Sequence, residues 1–234
     1  SIPKIPDKIY SDRDNNLWVL GQNELGFYSE LLNKFETFLP NSFVDNGLTI
    51  THVNALITGM NSDIWIGGGD DPQNNGFNNY NTVSKTFTSY KLNFDKTNDF
   101  TRKANMVNAI VQNQKDYLWL GTLSGLFRYN LRDGSHQYFE NTAIYNRLES
   151  NRIYNILESR DGKFWIGTWC GGLFQFDPET KLFSHIELNI NGDHPESECV
   201  RVIYEDSHGL IWLGNNQGIK VFHPNTAEWY NYQH

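Results

Sequence analysis

The chain has 234 residues, 38% of them hydrophobic and 15% aromatic, with seven Trp and a formal net charge of −8 at pH 7. This supplies a core for one large domain or two small ones, the aromatic excess favours strands, and the acidic balance repels a phosphate backbone and so excludes nucleic acid as an expected partner. No apolar run approaches the roughly 20 residues of a membrane helix, so no membrane insertion by this segment is expected, the opening SIPKIPDKIYSDRD has no apolar leader core, and two Cys make neither a disulfide framework nor a zinc spacing.

Five units follow one another. The first, 4–39, runs through KIYS, the turn DRDNN, then LWVLGQNELGFYS and KFETF. The second, 51–91, carries IWIGGGDDPQNNGFNNYN, with GGGDDPQNN as an insertion. The third, 105–140, carries LWLGTLSGLFRYN; the fourth, 151–188, FWIGTWCGGLFQFD; the fifth, 198–233, IWLGNNQGIKVFH. Their anchors are Trp18, Trp65, Trp119, Trp165 and Trp212, spaced by 47, 54, 46 and 47 residues. Each unit divides into four short strand-like runs. In the fourth these are NRIYNILES, KFWIGT, LFQFD and LFSHIEL, separated by RDG, WCGG and PETK. No run keeps a 3.6-residue period over a helix length. Four short strands per unit of about 40–50 residues is the pattern of a propeller blade. The expected fold is all-β: a single β-propeller region over 1–234, made of five four-stranded antiparallel repeats. Five blades could close alone. Whole blades at both ends favour part of a larger array, which would need capping by other chain.

Registering the units on Trp sharpens the prediction. Twelve residues before it stand Pro6, Val53, Val107, Ile153 and Val200; nine before, Ile9, Leu56, Ile110, Ile156 and Ile203. The first strand is therefore expected to be buried. Eleven before stand Asp7, Asn54, Asn108, Tyr154 and Arg201, a polar or amphipathic stripe expected on the innermost strand, facing a central channel. The Trp fills the gap between neighbouring sheets, and the Gly two residues on (Gly67, Gly121, Gly167, Gly214) allows close packing there. Blade one departs from this, with Leu20 at that position and Gly21 one residue late.

Units of the form D-x-x-G-x-hydrophobic-W-hydrophobic-G-T-x-x-G-G-L-F-x-aromatic resemble the two-component regulator propeller repeat. SRDGKFWIGTWCGGLFQFDPETKLF is close to that pattern, the third and fifth units match well, and the first two are degenerate. The resemblance implies an extracytoplasmic, periplasmic sensor region of a bacterial hybrid histidine kinase or related receptor, often sensing glycan fragments. It also implies seven blades per propeller, followed by a β-sandwich and a membrane helix, none of which is seen in this sequence.

Loops joining second to third strands, and the connections between blades, are the expected binding face. Amides and carboxylates there pair with hydroxyls, and exposed rings stack on sugars. The candidate contacts are Trp169, Tyr154, Arg152, Arg201, Asn108, Arg147, Tyr145, Asp70 and Asp71. Trp169 stands out, because an extra ring in a tight loop has no part in the repeat. Cys170 and Cys199 fall on that face of adjacent blades and could form a disulfide in an oxidising compartment. Asp12, Asp14 and Asn16 faintly resemble a calcium loop but occupy the turn found in every unit.

The seven His form no i, i+4 ligand pair. No phosphate loop, nucleophile elbow or Ser/His/Asp set is found. No metal, cofactor or catalytic residue is therefore expected. The expected function is non-catalytic sensing of a small molecule or oligosaccharide. The expected partners are the remaining blades and downstream signalling domains of the same receptor, and a homodimer mate. Two alternatives stay open: a lyase resembling streptogramin B lyase, with His52 and His194 on that side, or a protein-interaction scaffold.

Overall fold

The structure, a computed structural model, describes residues 6–21, 24–40, 46–69, 75–94, 99–141, 151–188, 199–215 and 218–232. It is built of five four-stranded antiparallel sheets, each a propeller blade with its strands in sequence order. Blade one holds β1 (Pro6–Ser11), β2 (Leu17–Gly21), β3 (Glu24–Ser29) and β4 (Lys34–Phe38). Blade two holds β5 (Val53–Thr58), β6 (Ile64–Gly68), β7 (Gly76–Asn81) and β8 (Thr86–Tyr90). A six-residue helix, α1 (Asp99–Ala104), leads into blade three: β9 (Val107–Gln114), β10 (Tyr117–Thr122), β11 (Gly125–Asn130) and β12 (His136–Phe139). Blade four holds β13 (Ile153–Glu158), β14 (Phe164–Thr168), β15 (Leu173–Asp177) and β16 (Leu182–Ile186). Blade five holds β17 (Val202–Glu205), β18 (Ile211–Asn215), β19 (Gly218–His223) and β20 (Glu228–Tyr232). The chain divides into two compact units, residues 1–120 with 129–136, and 121–128 with 137–234.

In the first unit, Trp18 is fully buried against Phe27, Phe38 and Tyr80. It shares a cluster with Leu20, Val53, Leu56 and Ile66. Leu20 stands where the later blades have Gly, so here a side chain fills the space between two sheets. Burial, with Glu36 nearby, pushes the Tyr80 phenol up to about 12. In the second unit Trp165 packs with Val200, Ile203, Leu213 and Phe222 of the next blade. The reason for the glycine two residues after Trp is now visible. A Cβ at Gly67 would meet Val107 and Ile110, and one at Gly167 would meet Val200 and Ile203. The apolar residues twelve and nine places before the next Trp thus press on a bare backbone.

The turn between first and second strands also repeats. Six residues before Trp18 and Trp212, Asp12 and Asp206 accept the indole N–H at 2.9 and 2.8 Å; Asn113 does so for Trp119 at 3.2 Å. The other carboxylate oxygen of Asp12 takes the N–H groups of Asp14 and Asn16, and that of Asp206 takes those of His208 and Leu210. Three residues before Trp the chain enters the left-handed region, at Asn15, Ser62, Gly162 and Gly209. Asp12 is therefore the cap of a turn, with both its oxygens already used. The Trp212 indole, first among several hydrogen bonds, holds Asp206 below the usual carboxylate range.

Two features differ from the expectations. Connection 91–104 contains α1, where Asp99 pairs with Arg102 and Lys103 at 2.5 Å each. Asn105 closes the segment by bonding the N–H and carbonyl of Leu92. Ile9, expected to be buried, is 68% exposed. Its equivalents Leu56, Ile110 and Ile203 each pack toward the Trp strand of the preceding blade.

Among the described residues, Gly68 is the glycine with the closest backbone obstacle. A Cβ there would lie 1.7 Å from the His52 carbonyl oxygen, which already accepts the Gly69 N–H at 2.8 Å. Gly68→Ala is expected to cost at least the roughly 1–3 kcal/mol of overpacking, because the obstacle is backbone rather than a movable side chain. Gly162→Ala has open space around it but a φ of +82°; it should lose only the ~1–2 kcal/mol of a left-handed non-glycine residue. Urea midpoints of the two variants check the order.

Candidate functional site

The end of blade four assembles the site. β13 and β14 pair so that Ile153 faces Thr168, and the Trp169 N–H donates to the Arg152 carbonyl at 2.9 Å. Thr168 closes the tight loop behind it. Its N–H and hydroxyl both donate to the Gly172 carbonyl, at 3.2 and 2.9 Å. Cys170 takes a positive φ of 57°. Blade five enters alongside: the Val200 N–H donates to the Thr168 carbonyl at 3.1 Å, and the Arg201 N–H to the Gly214 carbonyl at 2.9 Å. A Cys170–Cys199 disulfide links the two blades.

Trp169 is half-buried rather than a bare rim residue. The Tyr154 ring packs on its indole with centroids 5.0 Å apart, and the Arg201 guanidinium lies 3.9 Å from the ring centroid. A cation over an indole face is held electrostatically. Tyr154 and Arg201 occupy the same place in their repeats, eleven residues before Trp165 and Trp212. The amphipathic stripe thus converges on one ring in the second unit. In the first unit, the Asn54 amide donates to Asn108 at 3.0 Å, again joining the eleventh-before residues of adjacent blades. The residue after them in the chain strengthens the joint: Lys8 donates to the Asn54 carbonyl at 3.1 Å, and the Asn155 amide to the Arg201 carbonyl.

The candidates therefore separate. Trp169, Tyr154 and Arg201 come together, with Arg152 beside them through its backbone. Asn108 is buried in the first unit. Arg147, Tyr145, Asp70 and Asp71 lie outside the described residues, as does His194. The residues missed by the sequence reading are Asn151 and Asn155. Asn155 had a signal in its match to Lys8, ten residues before Trp; Asn151 precedes the strand in an asparagine-rich chain and had none. The Asn151 side-chain carbonyl and Arg201 Nε are buried without a hydrogen-bond partner among the described residues. Among those residues no three His, Cys, Asp or Glu gather as metal ligands, and no helix is long and apolar enough to cross a membrane.

Residues 147–170 and 195–217, around Trp165 and Trp212, match the two component regulator propeller family. It is 26% identical over 225 residues to histidine kinase P4 of Formosa agariphila. That match covers 91% of this chain and only 15% of the kinase, so the chain spans a small part of that relative's length. The fold is shared with the extracellular domain of a proposed hybrid two component system from B. thetaiotaomicron, at a TM-score of 0.75 and 23% identity, over 99% of this chain and 30% of that one. It is also shared with PorZ, a surface component of the type-IX secretion system of Porphyromonas gingivalis, at a TM-score of 0.62 and 14% identity, over 92% and 31% of the two chains.

Proposed function

We propose that this chain is a non-catalytic ligand-sensing propeller segment of a periplasmic receptor in a two-component system, taking an oligosaccharide at the Trp169 loops. One observation carries the reading: residues of two adjacent blades, Tyr154 and Arg201, converge on a ring that the repeat itself does not need. An amphipathic ring with polar groups at its edge suits the apolar face and hydroxyls of a sugar. The family repeats and the kinase relative support the receptor context.

The further blades and signalling domains of the same receptor are the proposed partners. Ile219 is 48% exposed where its equivalents Leu25, Phe77, Leu126 and Leu173 are at most 1% exposed. Tyr204 and Val202 are exposed beside it, and Trp212 is half-buried where the other four anchors are buried. Blade five thus exposes at Ile219 a position that is buried in the other four blades.

A thermal-shift screen of oligosaccharides should find a specific stabiliser, and Trp169→Ala should weaken it at least roughly tenfold without changing the fold by circular dichroism. Metal-dependent turnover abolished by changing His52 would replace this reading with a lyase. Protection of the face by a protein partner alone would replace it with a scaffold.

A further inference from the structure

We infer that the ligand of the Trp169 site is an acidic saccharide, whose carboxylate or sulfate is held by Arg201 and one of whose hydroxyls is held by Asn151. The inference rests on the saccharide reading above and adds the charge class. Two polar atoms at this end of the molecule lack protein partners among the described residues, and they are of opposite kinds. Arg201 Nε is a donor and Asn151 Oδ1 an acceptor, and both are shut off from solvent. Buried polar atoms without partners are rare in folded proteins and call for an explanation. Arg201 is also placed to take an anion. Its guanidinium lies 3.9 Å from the Trp169 ring centroid, and a guanidinium is the group that grips carboxylate or sulfate in bidentate fashion. No ion pair to Arg201 is found among the described residues, whereas Arg160, on the same two blades, lies 3.9 Å from Glu205.

The position is held from both sides. Arg201 is fixed at its backbone by Gly214 and Asn155, and Cys199, two residues earlier, is tied to the loop that carries Trp169. Asn151 immediately precedes Arg152, whose carbonyl receives the Trp169 N–H. A ligand lying along Trp169 would thus meet the Arg201 cation on the ring, with Asn151 one residue from the backbone that holds the Trp169 N–H. A neutral sugar would use the ring and Asn151 and leave Arg201 Nε unpaired. A sugar acid satisfies both.

The test is a calorimetric titration of the 234-residue chain with three probes: a uronate oligosaccharide, its carboxyl-reduced neutral counterpart, and a sulfated oligosaccharide. The expected result is that an acidic probe binds at least roughly tenfold more tightly than the neutral one, the range of a charge-assisted pair, with the two acidic arms separating carboxylate from sulfate. Arg201→Lys keeps the charge and loses the planar fork, and should reduce that preference. Asn151→Asp keeps the shape, adds a negative charge, and should weaken the acidic probe while changing the neutral one less. If the neutral probe binds as tightly as the acidic ones and Trp169→Ala abolishes both, the charge inference is overturned and the saccharide reading stands. If none of the three binds, both fall.

Discussion

Trp18→Ala is expected to remove about 4–6 kcal/mol from the first unit. Truncating a fully buried Trp ordinarily costs about 3–5 kcal/mol, and this indole is 0% exposed against three aromatic rings. It also leaves Asp12 Oδ2 without its 2.9 Å donor, in a residue only 8% exposed; an unsatisfied group of that kind adds about 1–3 kcal/mol, reduced by any water that enters the cavity. The instructive control is Trp212→Ala. It breaks the matching bond to Asp206, but the ring is half-buried, so the packing loss should be about half as large. Unfolding midpoints in urea compare the two. Equal losses would mean that the indole bond, rather than burial between neighbouring blades, holds the anchor.

Removing the Cys170–Cys199 bond is the second large effect. The cysteines are 29 residues apart in sequence, and closing a loop of that length lowers the entropy of the unfolded chain by the equivalent of about 3–4 kcal/mol. The bridge also joins the residue after Trp169 to the residue two before Arg201, so its loss loosens both sides of the stacked pair. A Cys170→Ser, Cys199→Ser double variant should melt at lower temperature than the oxidised chain, by about 3 kcal/mol in the second unit, and should bind the stabilising saccharide more weakly. Adding a reductant should move the parent toward the variant and leave the variant unchanged. Complete thiol labelling with an unaltered melting point would show that the bridge contributes nothing to stability. A bridge at this place also suits an oxidising compartment, in keeping with the proposed periplasmic location.

The blades were legible because their signal is redundant. Five Trp anchors, a following Gly in four of them, and apolar residues nine and twelve places earlier all point to the same sheet-on-sheet packing, and the contacts of Gly67 and Gly167 give that pattern its cause. What is not repeated was harder to read. Helix α1 is a single short element held by Asp99 and Asn105 within a connection that reads as polar loop. The bond that the Trp212 indole donates to Asp206 was hidden in a turn that recurs in every unit. The site was half legible. Trp169 stood out as a ring outside the repeat, and the stripe holding Tyr154 and Arg201 was visible, but their meeting depends on how blade five is laid beside blade four. Spacing along a chain does not encode that distance. Asn151 depends on the same placement and was invisible for the same reason.

The central claim is that the convergence of Tyr154 and Arg201 on Trp169 is a ligand site. Hydrogen–deuterium exchange of the chain with and without its stabilising saccharide tests it most directly. The account predicts added protection at 151–155, 168–170 and 199–202, and no change at the turns between first and second strands, 12–16, 59–63, 159–163 and 206–210. Protection confined to those turns, or to the exposed face of blade five, would contradict it.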